Sequence, residues 1–248
     1  MKNKKYTFGG ITFEVESPFE LIENNVSEAF HSEADADYLV RVVEVDDDVK
    51  ILHRAEKNGN VFTRYMHGCP SGLNVTNLLA TSETAFVFPD HDAFILHASY
   101  IIYNRKAILF TAPSGTGKTT QAKYWEAERG AEIINGDRVL VTRRDGKFYA
   151  NGIYASGTSG ISKNVTAPIE AVVLLEQGEA NELNAIPSRM LFLRIMCECS
   201  YDLANVSQYE KVTELVSDMI NKLPVFCYRC KKSPDSVEAL EKILWKKE

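Results

Sequence analysis

The sequence predicts an α/β fold: a phosphate-loop core of alternating strands and helices behind a β-rich N-terminal region. Three observations carry that prediction. Residues 6–89 break into short segments rich in β-branched and aromatic residues. Residues 107–135 run strand, Gly-containing loop, helix, strand, and the apolar stretch "IEAVVLLEQ" has the length of a buried strand. The change of character near Asp90 divides the chain into a β-rich region, 1–90, and a nucleotide-binding domain, 91–248. No low-complexity linker separates them, so close packing is expected.

The elements follow in order. "YTFGGITFEV", "YLVRVVEV" and "VFTRYMH" read as strands separated by acidic or Gly/Asn-containing turns. "NVTNLLATSETAF" predicts a helix, because Val75, Leu78, Leu79 and Ser82 fall on one helical face. "HDAFILHASYIIYNRKAILFT" reads as two strands joined at "NRK". "TTQAKYWEAERG" is a helix closed by Gly130, and "AEIIN" is a short strand leading to Asp137. Asp145-Gly146 marks a hairpin turn. Helices are expected over 188–199 and 208–222, then the strand "PVFCYRC" and a closing helix from Ser236.

Composition narrows the function classes. With 248 residues, 45% of them hydrophobic, the chain can bury a proper core, which sets aside disordered and fibrous classes. A net charge of -6 argues against a sequence-independent grip on nucleic acid, which needs clustered cations. The N-terminus has no apolar run of signal-peptide length and no segment reaches a membrane span, so a cytoplasmic protein with no membrane partner is expected. Five scattered cysteines fit free thiols in a reducing compartment.

The chemistry concentrates in "APSGTGKT", residues 112–119, which fits the phosphate-loop pattern with Ala in place of the first Gly. Pro113, Ser114, Gly115, Thr116 and Gly117 form the loop, in which Gly115 and Gly117 let backbone N–H groups converge on anionic oxygens. Lys118 would bridge the β and γ phosphates of ATP, Thr119 would place its hydroxyl on Mg2+, and Thr120 would reach the α phosphate. Asp137 follows Lys118 by 19 residues, at the end of an apolar strand, where a second ligand for the metal belongs.

The stretch from His97 to Arg138 resembles the catalytic core of the HPr kinase/phosphorylase family and, more distantly, that of ATP-dependent phosphoenolpyruvate carboxykinases. A strand opening with His97 precedes Lys118 by 21 residues, about the interval in HPr kinases, and "GDRV" stands where they have "DDRV". The resemblance implies that fold for the core, in a compact form. It assigns Lys118 and Thr119 to phosphate and metal, Asp137 to the second acid of the pair, and His97 to the histidine that supports it. Two departures accompany it: Gly136 replaces the first acid, assigned as base for a serine hydroxyl, and "YANGIYASG" has no Glu where another metal ligand is expected.

The activity so implied is transfer of the γ-phosphoryl group of ATP, with Mg2+, to a hydroxyl on a peptide, protein or small molecule. Asp137 would then serve as metal ligand and base. The missing acids leave open a nucleotide-gated binding or scaffold protein, and the loop leaves open the reverse, phosphorolytic or hydrolytic reaction. An oligomer is compatible with the sequence.

Other signals read as structural. The Gly/Ser-rich segment 155–168 is a loop in which Lys163 or Asn164 would touch phosphate if it closed over a substrate. Arg138 is either a transition-state cation or a solvated strand end. Cys197 and Cys199, on an expected helix, and Cys227 and Cys230, on an expected strand, have ligand-like spacings but diverging directions, so no zinc site is expected.

Overall fold

A computed structural model describes residues 2–21, 23, 28–45, 48–55, 61–66, 75, 79, 87–201 and 205–245. Five strands, β1 (Lys2–Phe8), β2 (Ile11–Ser17), β3 (Tyr38–Val45), β4 (Asp48–Ala55) and β5 (Val61–Met66), pair in chain order as one sheet. Only β2 and β3 run parallel, with Phe13 opposite Tyr38. In β2 the alternation is visible: Phe13 and Val15 are wholly buried, while Glu14 and Glu16 are not. Of the helix expected near Val75, Val75 and Leu79 are helical and fully buried, whereas Leu78 and Ser82 lie outside the described residues.

The second sheet has nine strands. They are β6 (Ala93–Tyr103), β7 (Lys106–Thr111), β8 (Glu132–Asn135), β9 (Arg138–Arg144), β10 (Lys147–Gly152), β11 (Thr166–Gln177), β12 (Glu182–Asn184), β13 (Cys199–Ser200) and β14 (Val225–Cys230). The order is β10-β9-β6-β7-β11-β14-β12, with β8 and β13 also paired to β6. Four helices accompany it: α1 (Lys118–Arg129), α2 (Ser188–Met196), α3 (Val206–Lys222) and α4 (Asp235–Leu244). The fold is therefore mixed α/β with a sheet-rich core, as the sequence predicts. Both predicted hairpins turn with positive φ at two successive residues, Asn104-Arg105 and Asp145-Gly146, which matches the twist of the flanking strands.

Two long strands set the position of everything else. One edge of β6 pairs with β9 through His97 and with β8 over Tyr100–Ile102, and the other pairs with β13 at Ile95 and Leu96 and with β7 from Ala98 onward. In the same way β11 pairs with β10 over Thr166–Pro168 and then runs beside β7. The sheet therefore changes neighbours along these strands. β7, β11 and β14 are mutually parallel, which leaves a crevice at their carboxyl ends, where ligands bind in open α/β sheets.

The helices cover both faces. Ala122 and Trp125 of α1 and Val237 and Leu240 of α4 bury Ile108, Phe110 and Val173 on one face. Leu191 and Ile195 of α2 and Val212, Val216 and Met219 of α3 bury Leu109, Val172 and Leu174 on the other. The N-terminal sheet shares a third core with Ala93, Ile95, Leu140, Ile153 and Tyr154, and Phe8 meets Tyr154 edge-on at 5.1 Å. Among the described residues no helix is long and apolar enough to cross a membrane, which says nothing of a β-barrel.

Two expectations need correction. The helix expected over 188–199 ends at Met196, and Cys199 and Ser200 instead pair with Leu96 and Ile95 of β6. The edge of β6 offers unpaired backbone groups there, and the His97 N–H donates to the Glu198 carbonyl at 2.8 Å, so sheet pairing prevails over helix propagation. His97 does not open its strand either: it lies inside β6, where β13 gives way to β7 along one edge. The register places it, not a strand end.

Candidate active site

The 112–117 loop leaves β7 at the crevice and feeds directly into α1. Gly117 caps the helix at φ 119° and Gly115 sits at φ 80°, with nothing within 4 Å of where either Cβ would be. These left-handed positions turn the backbone without a side chain in the way, and the helix start has no side-chain cap on its free N–H groups. Pro113, Ser114 and Gly115 are exposed, while Thr116, Thr119 and Thr120 are half-buried. Gln177 steadies the loop from the end of β11, its amide donating to the Thr116 carbonyl at 3.2 Å.

Lys118 lies under this loop and is only 7% exposed. Its Nζ donates to the carbonyls of Ala112 at 2.6 Å and Pro113 at 3.3 Å. Burial pushes its pKa down, against the opposing pull of Glu198 and Asp137. The ammonium thus rests on two neutral carbonyls.

Asn135, wholly buried at the end of β8, builds the turn that presents Asp137. Its amide nitrogen donates to the carbonyls of Ile153 at 3.0 Å and Ala155 at 2.8 Å, and its oxygen accepts from the N–H groups of Asp137 at 2.9 Å and Arg138 at 3.0 Å. All four hydrogen-bonding sites of the amide are used. Across from this turn, Thr119 of α1 donates its hydroxyl to the Gly136 carbonyl at 3.1 Å, and Ser99 of β6 donates to the same carbonyl at 3.0 Å. The loop helix, β6 and the Asp137 turn are tied together by that oxygen.

His97 joins the cluster from β6. Its Nε2 is 3.5 Å from Asp137 Oδ1, and its Nδ1 is 3.0 Å from Glu198 Oε2. A carboxylate only accepts, so the Nδ1–H donates to Glu198, which fixes the ring. Asp137 is held below the usual carboxylate range, first by the His97 ring and then, against its own burial, by the charges of His97, Arg138 and Lys118. Sequence reasoning missed Glu198. It sits in a segment that reads as helix, and only the pairing of Cys199 with Leu96 brings its carboxylate, with a side chain 10% exposed, beside His97.

Gly136 has a steric explanation in the fold. A Cβ there would lie 2.3 Å from Ser159 Oγ and 2.5 Å from Ser159 Cβ, so the serine fills the place of a side chain at 136. Ser159 is pinned by donating to the Ser156 carbonyl at 2.6 Å and accepting from the Ile161 N–H at 3.2 Å. A Cβ on Gly157 would lie 2.6 Å from Asp137 Cγ, so the 155–160 segment packs directly on the acid. The absence of an acid at 136 and the Gly/Ser composition of this segment are one packing solution.

The remaining candidates divide clearly. Arg138 lies 3.5 Å from Asp137 Oδ2, whereas Lys163 pairs with Glu132 at 2.8 Å and Asn164 donates to the carbonyls of Thr7 and Ala29 at 3.0 and 2.8 Å. Asn164 therefore fastens the N-terminal sheet and takes no part in the site. On the outer side of the loop, Arg194 and Arg229 both pair with Glu176 at the end of β11. Among the described residues the four cysteines are free, and no group of three or more His, Cys, Asp and Glu side chains is arranged to hold a metal.

Two outcomes follow from this geometry. Gly136→Ala is expected to cost about 1–3 kcal/mol in urea unfolding, and Ser159→Gly in the same chain to recover at least half of it, a coupling expected only for groups in contact. In metal-free buffer, the stability that the depressed Asp137 contributes is fully present above its unfolded pKa near ~3.9 and is lost as pH falls through the lower folded value. The stability advantage of wild type over Asp137→Asn should therefore shrink below about pH 4 in unfolding curves taken across the acid range.

No protein-family model matches the chain, and no curated protein matches it. Among solved structures, the Hpr(Ser) kinase/phosphatase from Coxiella burnetii is similar at 14% identity with a TM-score of 0.28, over 38% of this chain and 66% of that one.

Proposed function

We propose that the protein is a Mg-ATP-dependent phosphotransferase of the HPr-kinase-like kind, which passes the γ-phosphoryl group to a hydroxyl on a peptide, protein or small molecule. The observation that carries this reading is the convergence of the 112–117 loop, buried Lys118 and Asp137 on one spot, tied through the Gly136 carbonyl to Thr119. The match of "APSGTGKT" and "GDRV" to the HPr kinase pattern adds the reaction class.

In this reading the loop N–H groups and the start of α1 receive the phosphate oxygens, and Lys118 leaves the Ala112 and Pro113 carbonyls to reach the β and γ phosphates. Thr119 and Asp137 are oxygen donors of the type that suits Mg2+ and would hold it. When bound, Mg2+ would neutralise charge on the phosphates.

With no acid at 136, removal of the acceptor proton falls to Asp137. The acceptor oxygen forms its bond to the γ phosphorus as the bond to the β-phosphate oxygen breaks, and the proton passes to Asp137. His97, held by Glu198, orients Asp137 for that task. Ser159 in the place of a second acid favours one other reading, a nucleotide-gated binding protein that turns over slowly or not at all.

Calorimetry with Mg-ATP and transfer of labelled γ phosphate to candidate hydroxyl acceptors test the proposal. Lys118→Ala is expected to weaken binding by about a hundredfold or more, and Asp137→Asn to retain nucleotide while losing transfer by about 10²–10⁴-fold. Binding without transfer in wild type would select the binding-protein reading. No binding would remove both.

A further inference from the structure

Helix α2 leads into the site from its C-terminal end. The chain leaves it at Cys197, still in helical backbone geometry, and the next residue is Glu198, whose carboxylate lies 3.0 Å from the His97 ring. On the inner side of the helix, Leu191 and Ile195 join the core. On the outer side, Met190, Leu193 and Cys197 recur at helical spacing and are exposed, the first two at 47% and 44%. Among the described residues only five large apolar side chains are exposed, so two neighbours on one nine-residue helix form a stripe and not a scatter.

Charge frames this stripe. α2 has no acidic residue, although the whole chain carries a net charge of -6. Arg189, one turn before Leu193, is exposed and forms no ion pair among the described residues. On the other flank, one turn after Met190, Arg194 borders an open hollow of about 540 Å³ together with Pro113, Ser114, Glu176 and Arg229. Arg194 and Arg229 share Glu176, and Arg229 also reaches Glu182 at 3.5 Å. Three guanidiniums therefore meet two carboxylates, and positive charge is left over beside the exposed start of the phosphate loop.

We infer that the outer face of α2 docks the phosphoryl acceptor, and that the acceptor is an acidic polypeptide segment with apolar side chains. Its carboxylates pair with the guanidinium forks, its apolar residues cover Met190 and Leu193, and its hydroxyl is delivered past Cys197 to Asp137. Length favours a polypeptide over a small alcohol. Met190 lies about 10 Å along the helix axis from Cys197, a distance that an extended chain spans in about three or four residues. The acceptor role rests on the phosphotransferase reading, whereas docking itself needs no nucleotide.

Three fluorescent peptides of equal length, each with a single Ser at the same position, test this: one built from Glu and Leu, one from Lys and Leu, one from Glu and Gln. Anisotropy reads docking, and transfer of labelled γ phosphate from Mg-ATP reads chemistry. The Glu/Leu peptide is expected to bind at least about tenfold more tightly than either of the others. Met190→Ser/Leu193→Ser and Arg189→Glu should each weaken it by about tenfold, raise KM for transfer with kcat within about twofold, and leave Mg-ATP affinity within about twofold. Lys118→Ala should do the reverse, weakening Mg-ATP and sparing the peptide. Thermal unfolding checks that these surface variants are folded. Equal binding of the three peptides, or none, overturns the assignment, as does a Glu/Leu peptide indifferent to the α2 substitutions. A wild-type dimer that Met190→Ser/Leu193→Ser dissolves would give the face to a second copy and overturn it too. Docking of the Glu/Leu peptide without transfer supports the surface and removes the phosphotransferase reading, and transfer to glycerol without peptide docking does the opposite.

Discussion

The site depends on one buried amide. Asn135 supplies two donors to the chain at 153–155 and two acceptor positions to the N–H groups of Asp137 and Arg138, so it defines the turn on one side and the overlying segment on the other. No other side chain of similar size offers that pattern: Asp lacks the donors, and Leu leaves four backbone groups unsatisfied in the interior. The same turn directs the Gly136 carbonyl at Thr119 and Ser99, and through them it fixes the distance between the acid and the start of α1. The placement of Asp137 is therefore a consequence of backbone satisfaction, and its charge is a consequence of placement.

The second constraint is the exchange of neighbours along β6. Because β13 gives way to β7 on one edge of the strand while β9 continues as β8 on the other, the imidazole stands where two ladders meet. That junction brings together residues distant in sequence: His97, Asp137 and Glu198 arrive on three separate elements. The N-terminal sheet braces the junction from the far side through Ala93, Ile95, Leu140, Ile153 and Tyr154, and Asn164 bonds it to the segment that packs on Asp137. Among the described residues, the N-terminal region thereby braces the site without placing a side chain in it.

Much of this was legible in the sequence because the relevant signals are local. The loop, its helix and the short strand after it are fixed by glycine positions, helical spacing and an apolar run, and the two hairpins by their turn dipeptides. Glu198 was illegible for the opposite reason. Its neighbours continue a helical pattern, and only long-range pairing with β6 ends that helix and turns the carboxylate toward His97. Ser159 was hidden in the same way, since a Gly/Ser-rich stretch announces a loop but not which residue fills the space beside Gly136.

The account centres on phosphate recognition by the backbone of 112–117 with Asp137 opposite. A two-dimensional ¹⁵N–¹H spectrum of the full chain titrated with Mg-ATP tests this most directly. The largest shifts should fall on the amides of Gly115, Gly117, Lys118 and Thr119, with a smaller group at Asp137 and Arg138 across the site. Saturable shifts confined to other parts of the molecule, or none at these amides at millimolar nucleotide, would contradict it.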